Sequence, residues 1–332
     1  MQLTNEAGEV TSHLTGLWYR TIKFVEAGIK PVYVFDGKPP DLKSGELAKR
    51  RAIKEKATTD LAAAVEAGND EDVDRFTKRT VRMDSGHKSD CEKLLRLMGM
   101  PVVLAPCEAE AQCAALAKAD KVYAAVSEDM DTLTFGAPRL VRKLFASEKQ
   151  MDKSPPVEIS LDKALEGLGL TMSQFIDVCI LSGCDYCDTI KGIASISALK
   201  EVKKHGSLDA LLKNIDREKH TVPDVDWAKV QDAFINPEVT DPATIDLVWA
   251  DPDEAGILQF LVTEKGFKKE RIEAGIAKLK KARSGGAQSR LDSFFTKAPA
   301  PAGAAGAGAG VGGKRKAVES VKKAVGKLTK KK

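Results

Sequence analysis

The sequence predicts an α/β fold, a mainly parallel central sheet flanked by helices, from three observations. Short apolar runs rich in Val and Tyr recur along the chain, helix-length segments separate them, and each run gives way to a polar loop that opens with acids. The runs are Pro31-Val-Tyr-Val-Phe before Asp36, Pro101-Val-Val-Leu before Glu108 and Glu110, Val122-Tyr-Ala-Ala-Val before Asp129 and Asp131, and Ile176-Asp-Val-Cys-Ile-Leu before Asp185. Apolar runs of this length read as buried strands, and parallel sheets place their ligand sites at the carboxyl ends of the strands. The acids are therefore expected to share one edge.

In chain order, residues 10–27 read as a helix with Leu14, Leu17 and Trp18 on an apolar stripe, leading into the strand that ends at Asp36. Gly37-Lys-Pro-Pro breaks regularity. From 44 to about 84 the chain is dense in charge and Ala, interrupted by Gly68-Asn-Asp-Glu, and reads as a pair of helices. On composition this pair is a solvated hairpin; directly behind a site acid it is equally a lid or arch over the site. A helix near 89–98, a strand to Ala105, a helix over 108–119 and the strand before Ser127 continue the βα pattern. Residues 161–212 read as mainly helical, with a turn at Asp188-Thr-Ile-Lys-Gly-Ile-Ala-Ser, and 215–283 as Pro-containing turns and short helices closed by a helix over 270–283. The Pro/Ala/Gly tract 298–313 cannot bury a core and is expected to be disordered.

At 332 residues, 43% hydrophobic and 30% charged, the composition is that of a globular protein. No apolar stretch reaches bilayer length and the N-terminus lacks the pattern of a signal peptide, so an intracellular protein without membrane contact is expected. Six cysteines spread through predicted helices and loops read as reduced thiols. Cys184 and Cys187 have CxxC spacing, but with no second CxxC or paired His nearby they read as plain thiols rather than as a redox or zinc pair. Although the chain is +4 overall, ten Lys and Arg against the single Glu319 lie beyond residue 295, leaving a net acidic body and a basic tail suited to a polyanionic partner.

The six acids are an all-oxygen set, without His or Cys, and repel one another unless cations sit among them. Such a set favours Mg²⁺ or Mn²⁺ over zinc. Hard divalent ions on carboxylates are the apparatus of phosphoryl transfer, which points to a metal-dependent nuclease or phosphatase. Glu108 and Glu110 are two apart and face one site only at the start of a helix, where acids are also favoured for helix-dipole reasons alone. Asp129 and Asp131 have a similar bland reading, as capping acids after a strand. Lys43 and Arg50, two helical turns apart, share a face of the segment after Asp36 and beside metals would hold a scissile phosphate.

The motifs Val34-Phe-Asp-Gly-Lys-Pro-Pro, Lys43-Ser-Gly-Glu-Leu-Ala-Lys-Arg, Ala105-Pro-Cys-Glu-Ala-Glu-Ala, Ser127-Glu-Asp-Met-Asp-Thr-Leu-Thr-Phe-Gly and Gly183-Cys-Asp-Tyr-Cys closely resemble the eukaryotic flap endonucleases, relatives of the xeroderma pigmentosum nucleases. The resemblance runs from about Leu3 to Phe295. It implies a 5′ nuclease (PIN-like) fold with a helical arch over 44–85 and a helix-turn-helix DNA-binding segment over 184–212, cutting 5′ flaps of branched DNA with two Mg²⁺ ions in replication and repair, with 5′-3′ exonuclease activity alongside. It carries metal-ligand roles to Asp36, Glu108, Glu110, Asp129 and Asp131, with Asp185 acting through water; phosphate contact to Lys43 and Arg50; and DNA contact to Arg20, Lys191 and Gly192.

Two departures stand out. The family opens with a further βα unit beginning Met-Gly-Ile that supplies another site Asp, and this sequence starts after it. The resemblance alone therefore leaves open a catalytically impaired form that binds the sliding clamp and DNA. At Lys191-Gly-Ile-Ala-Ser-Ile-Ser the family has a Gly-Ile-Gly-Pro-Lys-like turn that binds K⁺ and a DNA phosphate; Ala194 replaces the second glycine, which matters if that position needs φ > 0. Gln288-Ser-Arg-Leu-Asp-Ser-Phe-Phe295 resembles the box that docks on the sliding clamp (proliferating cell nuclear antigen), one helical turn presenting Leu291, Phe294 and Phe295 with Gln288 beside them. This box argues against the related 5′ exonucleases and Holliday-junction resolvases. The resulting organisation is 1–85, a nuclease region with the arch; 86–283, a second nuclease region; and 284–332, a disordered basic tail with the box at 288–295. A monomer is expected, and Lys314-Arg-Lys and Lys330-Lys-Lys fit nuclear import, with the nucleolus and mitochondrion as further compartments.

Overall fold

The computed structural model describes residues 9–80, 85–144 and 154–284. Helix α1 (Ser12–Glu26) forms because Leu14, Trp18 and Ile22 recur every four residues; all three are buried, with Leu17 packed at their margin. Strand β1 (Tyr33–Phe35) pairs in parallel with β2 (Val102–Leu104), Tyr33 opposite Val102 and Phe35 opposite Leu104. Strand β3 (Ala125–Val126) pairs in parallel with β4 (Arg139–Arg142), and β4 pairs antiparallel with β5 (Val157–Ser160). Within the α/β fold expected, the described strands fall into two small sheets, mostly parallel in their pairing. Of the run from Val122 only Ala125 and Val126 are strand. Strands β4 and β5 gave no signal, because Arg139-Leu-Val-Arg puts only two apolar residues between charged ends.

Helix α2 (Ser44–Glu66) and α3 (Asp70–Thr80) form the expected pair and pack on each other. α2 buries only Ala57 and Ala64 and has no apolar stripe. Helix α4 (Ser85–Leu97) begins four residues before the expected start and packs against α1. Helix α5 (Ala109–Lys118) contacts both β1 and β3, so it links the two sheets. Residues of β1 and β3, together with Cys113 and Leu116 of α5, line one cavity of about 440 Å³.

After the short α6 (Asp131–Thr134) and the β4–β5 pair, the chain is helical: α7 (Leu161–Leu168), α8 (Met172–Ser182), α9 (Ser195–His205), α10 (Leu208–Asn214) and α11 (Trp227–Ile235). A capping box starts α8, Thr171 Oγ1 accepting from the Gln174 N–H and Gln174 Oε1 from the Thr171 N–H. The run Ile176–Leu181 therefore precedes its acid as a helix, not as a strand. It buries Ile176, Ile180 and Leu181 against Ala198, Val202, Leu208, Leu211, Val230 and Phe234. The 1% exposed Asp177 ties three helices together, accepting from the Leu208 N–H at 2.9 Å and Gln231 Nε2 at 2.6 Å.

A second core joins α1 and α4 to α12 (Glu254–Ile257), the π-helical Leu258–Glu264 and α13 (Lys269–Ser284) through Trp18, Leu94, Met98, Phe260, Ile272 and Leu279. Among the described residues no single helix is long and apolar enough to cross a membrane; α7 and α8 together reach that length but bend by 83°.

Candidate metal-dependent active site

Asp36 follows β1, and its Oδ1 accepts from the Ala109 N–H at the first turn of α5, at 2.8 Å. The approach is possible because residue 37 is glycine: a Cβ there would lie 2.2 Å from the Ala105 carbonyl oxygen and 2.3 Å from that of Pro106. The Gly37 N–H donates to the Cys107 carbonyl at 2.6 Å, so the loops after β1 and β2 are pinned to each other. Glu108 is the N-cap of α5, extended at φ −90° and ψ 130°, and Glu110 lies in the first turn. Residues two apart can thus serve one site at a helix start, as their spacing required.

Other site carboxylates are held by nearby groups. Ser127 Oγ donates to Glu110 at 2.6 Å, and the Asp131 N–H donates to Asp129 Oδ1 at 3.1 Å where α6 begins. Asp185, in the loop after α8, accepts from Arg50 Nη2 at 2.7 Å and pairs with Lys43 Nζ at 3.0 Å. Lys43 also pairs with Glu108, which accepts a further hydrogen bond from the Tyr186 hydroxyl. Burial pulls the Lys43 amine down, but its bonds to Glu108 and Asp185 outweigh this and leave it raised.

The acids outnumber these cations, and their proton affinities register the imbalance. Burial first, then Asp129, Asp131 and Glu108, pushes the Glu110 carboxyl up to about 7 against the pull of Ser127. Burial, Asp129, Asp185 and Glu108 push Asp131 up to about 6. Among the described residues no three His, Cys, Asp or Glu side chains close on one point as a finished metal cage. Several of these oxygens are engaged by Lys43, Arg50, Ser127 or a backbone N–H. The donor set still fits hard divalent cations: it is all oxygen, and two of its members carry anionic charge unfavourably.

The structure brings together eight of the sequence-predicted residues: Asp36, Glu108, Glu110, Asp129, Asp131, Asp185, Lys43 and Arg50. Asp36 touches this group through the α5 terminus. Arg20 lies exposed on α1. Lys191 and Gly192 lie in the turn before α9, where Gly192 takes φ +88° and the Lys191 N–H donates to the Thr221 carbonyl at 3.1 Å. Ala194 is extended at φ −126°, a conformation any residue adopts, so the glycine it replaces is not required here for a positive φ. The clamp-box residues Gln288, Leu291, Phe294 and Phe295 lie outside the described residues. Ser127, Tyr186 and Gly37 were quoted within motifs but given no role, although each directly holds or admits a site carboxylate. The sulfurs of Cys184 and Cys187 lie 3.7 Å apart, which spacing alone did not disclose.

A carboxylate cluster faced by Lys43 and Arg50 defines a class: metal-dependent enzymes that hydrolyse phosphodiesters. Matches to known proteins narrow it. Residues 1–57 match the XPG N-terminal domain and residues 99–185 the XPG I-region. The flap endonuclease 1 of Ostreococcus lucimarinus is 57% identical over 296 residues, covering 89% of this chain and 76% of that relative. Among solved structures, flap endonuclease-1 from Methanococcus jannaschii superposes with a TM-score of 0.65 at 34% identity, covering 85% of each chain. The catalytic core of Rad2 in complex with a DNA substrate superposes with a TM-score of 0.63 at 25% identity, covering 83% of this chain and 87% of that one. The chain belongs to the flap endonuclease family, with the 5′ nuclease fold and a metal-dependent nuclease activity.

Proposed function

We propose that this chain cleaves 5′ flaps of branched DNA during replication and repair, using two Mg²⁺ ions, or Mn²⁺ in their place, held by Asp36, Glu108, Glu110, Asp129 and Asp131, with Asp185 acting through water. The observation that carries this reading is the convergence of Lys43 and Arg50 on Asp185 beside a carboxylate cluster in which burial first, and the neighbouring acids second, push Glu110 up to about 7. Bound divalent ions supply the activation of an attacking water and the stabilisation of the leaving oxygen in an in-line displacement. The chain's own residues do the rest. Lys43 and Arg50 turn from their carboxylate partners to the scissile phosphate and offset the charge that grows on it. Tyr186 and Ser127 keep Glu108 and Glu110 aimed inward. Exposed Lys49, Arg51 and Lys56 on α2 offer backbone contacts to a flap passing the α2–α3 arch.

The helix-turn-helix region draws the duplex in through Lys191 and Gly192, and a K⁺ ion at that turn would be held by backbone carbonyls. Arg20 contributes a phosphate contact from α1. The box at 288–295 docks a monomer of this chain on the sliding clamp, and the basic clusters after it direct it to the nucleus.

Incubating the purified chain with a labelled 5′-flap DNA and Mg²⁺ tests this reading. Cleavage at the flap base is expected, and Asp129→Ala or Asp131→Ala is expected to abolish it while sparing DNA binding. Retained cleavage in both variants would overturn the metal assignment.

A further inference from the structure

We propose that Cys184 and Cys187 form a reversible disulfide that switches the nuclease site off. The inference rests on the nuclease reading and adds a means of regulating that site. Cys184 and Cys187 face each other across an isolated antiparallel bridge, with Asp185 and Tyr186 as the two residues between them. Residues opposed in this way have Cα atoms about 4.5–5.5 Å apart, inside the range a disulfide accepts. Their sulfurs are 3.7 Å apart, so bond formation requires them to approach by roughly 1.7 Å. Both side chains are half-buried rather than sealed in a core. The other four cysteines are free thiols on other elements, with Cys91 and Cys107 buried.

The two residues inside the loop are those that hold the site together. Asp185 receives Arg50 and Lys43, and the Tyr186 hydroxyl, on a side chain only 7% exposed, donates to Glu108. Drawing the sulfurs together tightens the turn, and the movement falls on Asp185 and Tyr186. A misplacement of about 1 Å in a positioned group costs on the order of a hundredfold in rate. The disulfide therefore places Asp185 and Tyr186, both positioning residues in this respect, out of register with the cations that they align.

The oxidant is a small disulfide of the glutathione type. One protein thiolate attacks it, giving a mixed disulfide and releasing one small thiolate. The second protein thiolate then attacks the sulfur of the first and displaces the other half. Two electrons pass from the protein sulfurs to the small disulfide, whose halves leave as thiols carrying the two protein protons.

The test equilibrates the purified full chain in glutathione buffers of increasing oxidised fraction, maps disulfides by differential alkylation and mass spectrometry, and measures flap cleavage in parallel. A 184–187 disulfide is expected to accumulate as cleavage falls about a hundredfold, with recovery on adding dithiothreitol. Cys187→Ser is expected to cleave at the reduced wild-type rate throughout, and Cys184→Ser carries the same expectation should the first variant fail to fold. Failure of the 184–187 bond to form, oxidation at Cys179 and Cys184 instead, or full cleavage with the bond complete would each overturn the proposal. A reduced chain that does not cleave would overturn the nuclease reading, while the alkylation map still decides the thiol pair.

Discussion

Glu110 shows how the site trades stability for charge. In the folded chain its carboxyl is pushed from an ordinary 4.5 up to about 7, so folding favours its protonated form. Without metal, its contribution is unpenalised below pH 4.5; the penalty grows as pH rises through about 7 and is complete above it. Discounted for a partly open position, the effect is roughly 1–2 kcal/mol. Urea midpoints of the metal-free protein should therefore fall between pH 5 and 8, and Glu110→Gln should remove much of that slope; an unchanged slope would show that the burial is not felt. At the same scale, Tyr186→Phe deletes the donor to Glu108 and should lower the cleavage rate about tenfold, with folding stability reduced by about 1 kcal/mol. The carboxylates were legible in the sequence because they come within a few residues after an apolar run. The hydroxyls of Ser127 and Tyr186 were not, because a hydroxyl's partner is chosen by tertiary approach and leaves no periodicity.

Among the elements, the junction between the β1 and β2 loops carries the geometry of the site, since Asp36 reaches the α5 terminus only through the contact at Gly37. Gly37→Ala drives a methyl group into the carbonyls of Ala105 and Pro106, and thermal unfolding should show a loss of roughly 2–3 kcal/mol with cleavage reduced even in the folded fraction. Wild-type stability in this variant would mean that the loops part without cost. Asp177 plays the corresponding part in the helical half: Asp177→Ala strands the buried Leu208 N–H and should cost about 2–3 kcal/mol, whereas Asp177→Asn, which can still accept from Leu208, should cost less. The long elements were readable because α1, α5 and α13 carry enough turns for their apolar spacing to show. Strands of two to four residues, such as β3 and β4, carry too few positions to show any pattern, and the π-helical turn at Leu258–Glu264 has a sequence that an ordinary helix shares. The separation into two sheets was illegible for a further reason, since strand pairing is decided by which edges meet across α5.

For the whole molecule the decisive property is an uneven charge: a net acidic body that holds the site, and a basic tail after residue 295. Lys49, Arg50, Arg51 and Lys54 cluster on α2 and offer local cations to DNA even though the body is net acidic. Affinity for flap DNA should therefore fall steeply with salt, the logarithmic slope growing with the number of phosphates contacted. Removing residues 285–332 takes away the basic tail and the box of Gln288, Leu291, Phe294 and Phe295, but none of the site carboxylates and none of α2 or α3. The truncated chain is expected to cleave free flap DNA at low salt within about twofold of the full chain, to show a shallower salt dependence of binding, and to lose binding to the sliding clamp. In the full chain, a Phe294→Ala, Phe295→Ala pair should abolish clamp binding with the salt slope unchanged, since removing an apolar anchor costs on the order of 2–4 kcal/mol and no phosphate contact. Calorimetry with the purified clamp and salt titrations of DNA binding separate the two roles. A pair variant that still binds the clamp would take the docking role from the box, and a truncated chain with an unchanged salt slope would take the DNA role from the tail.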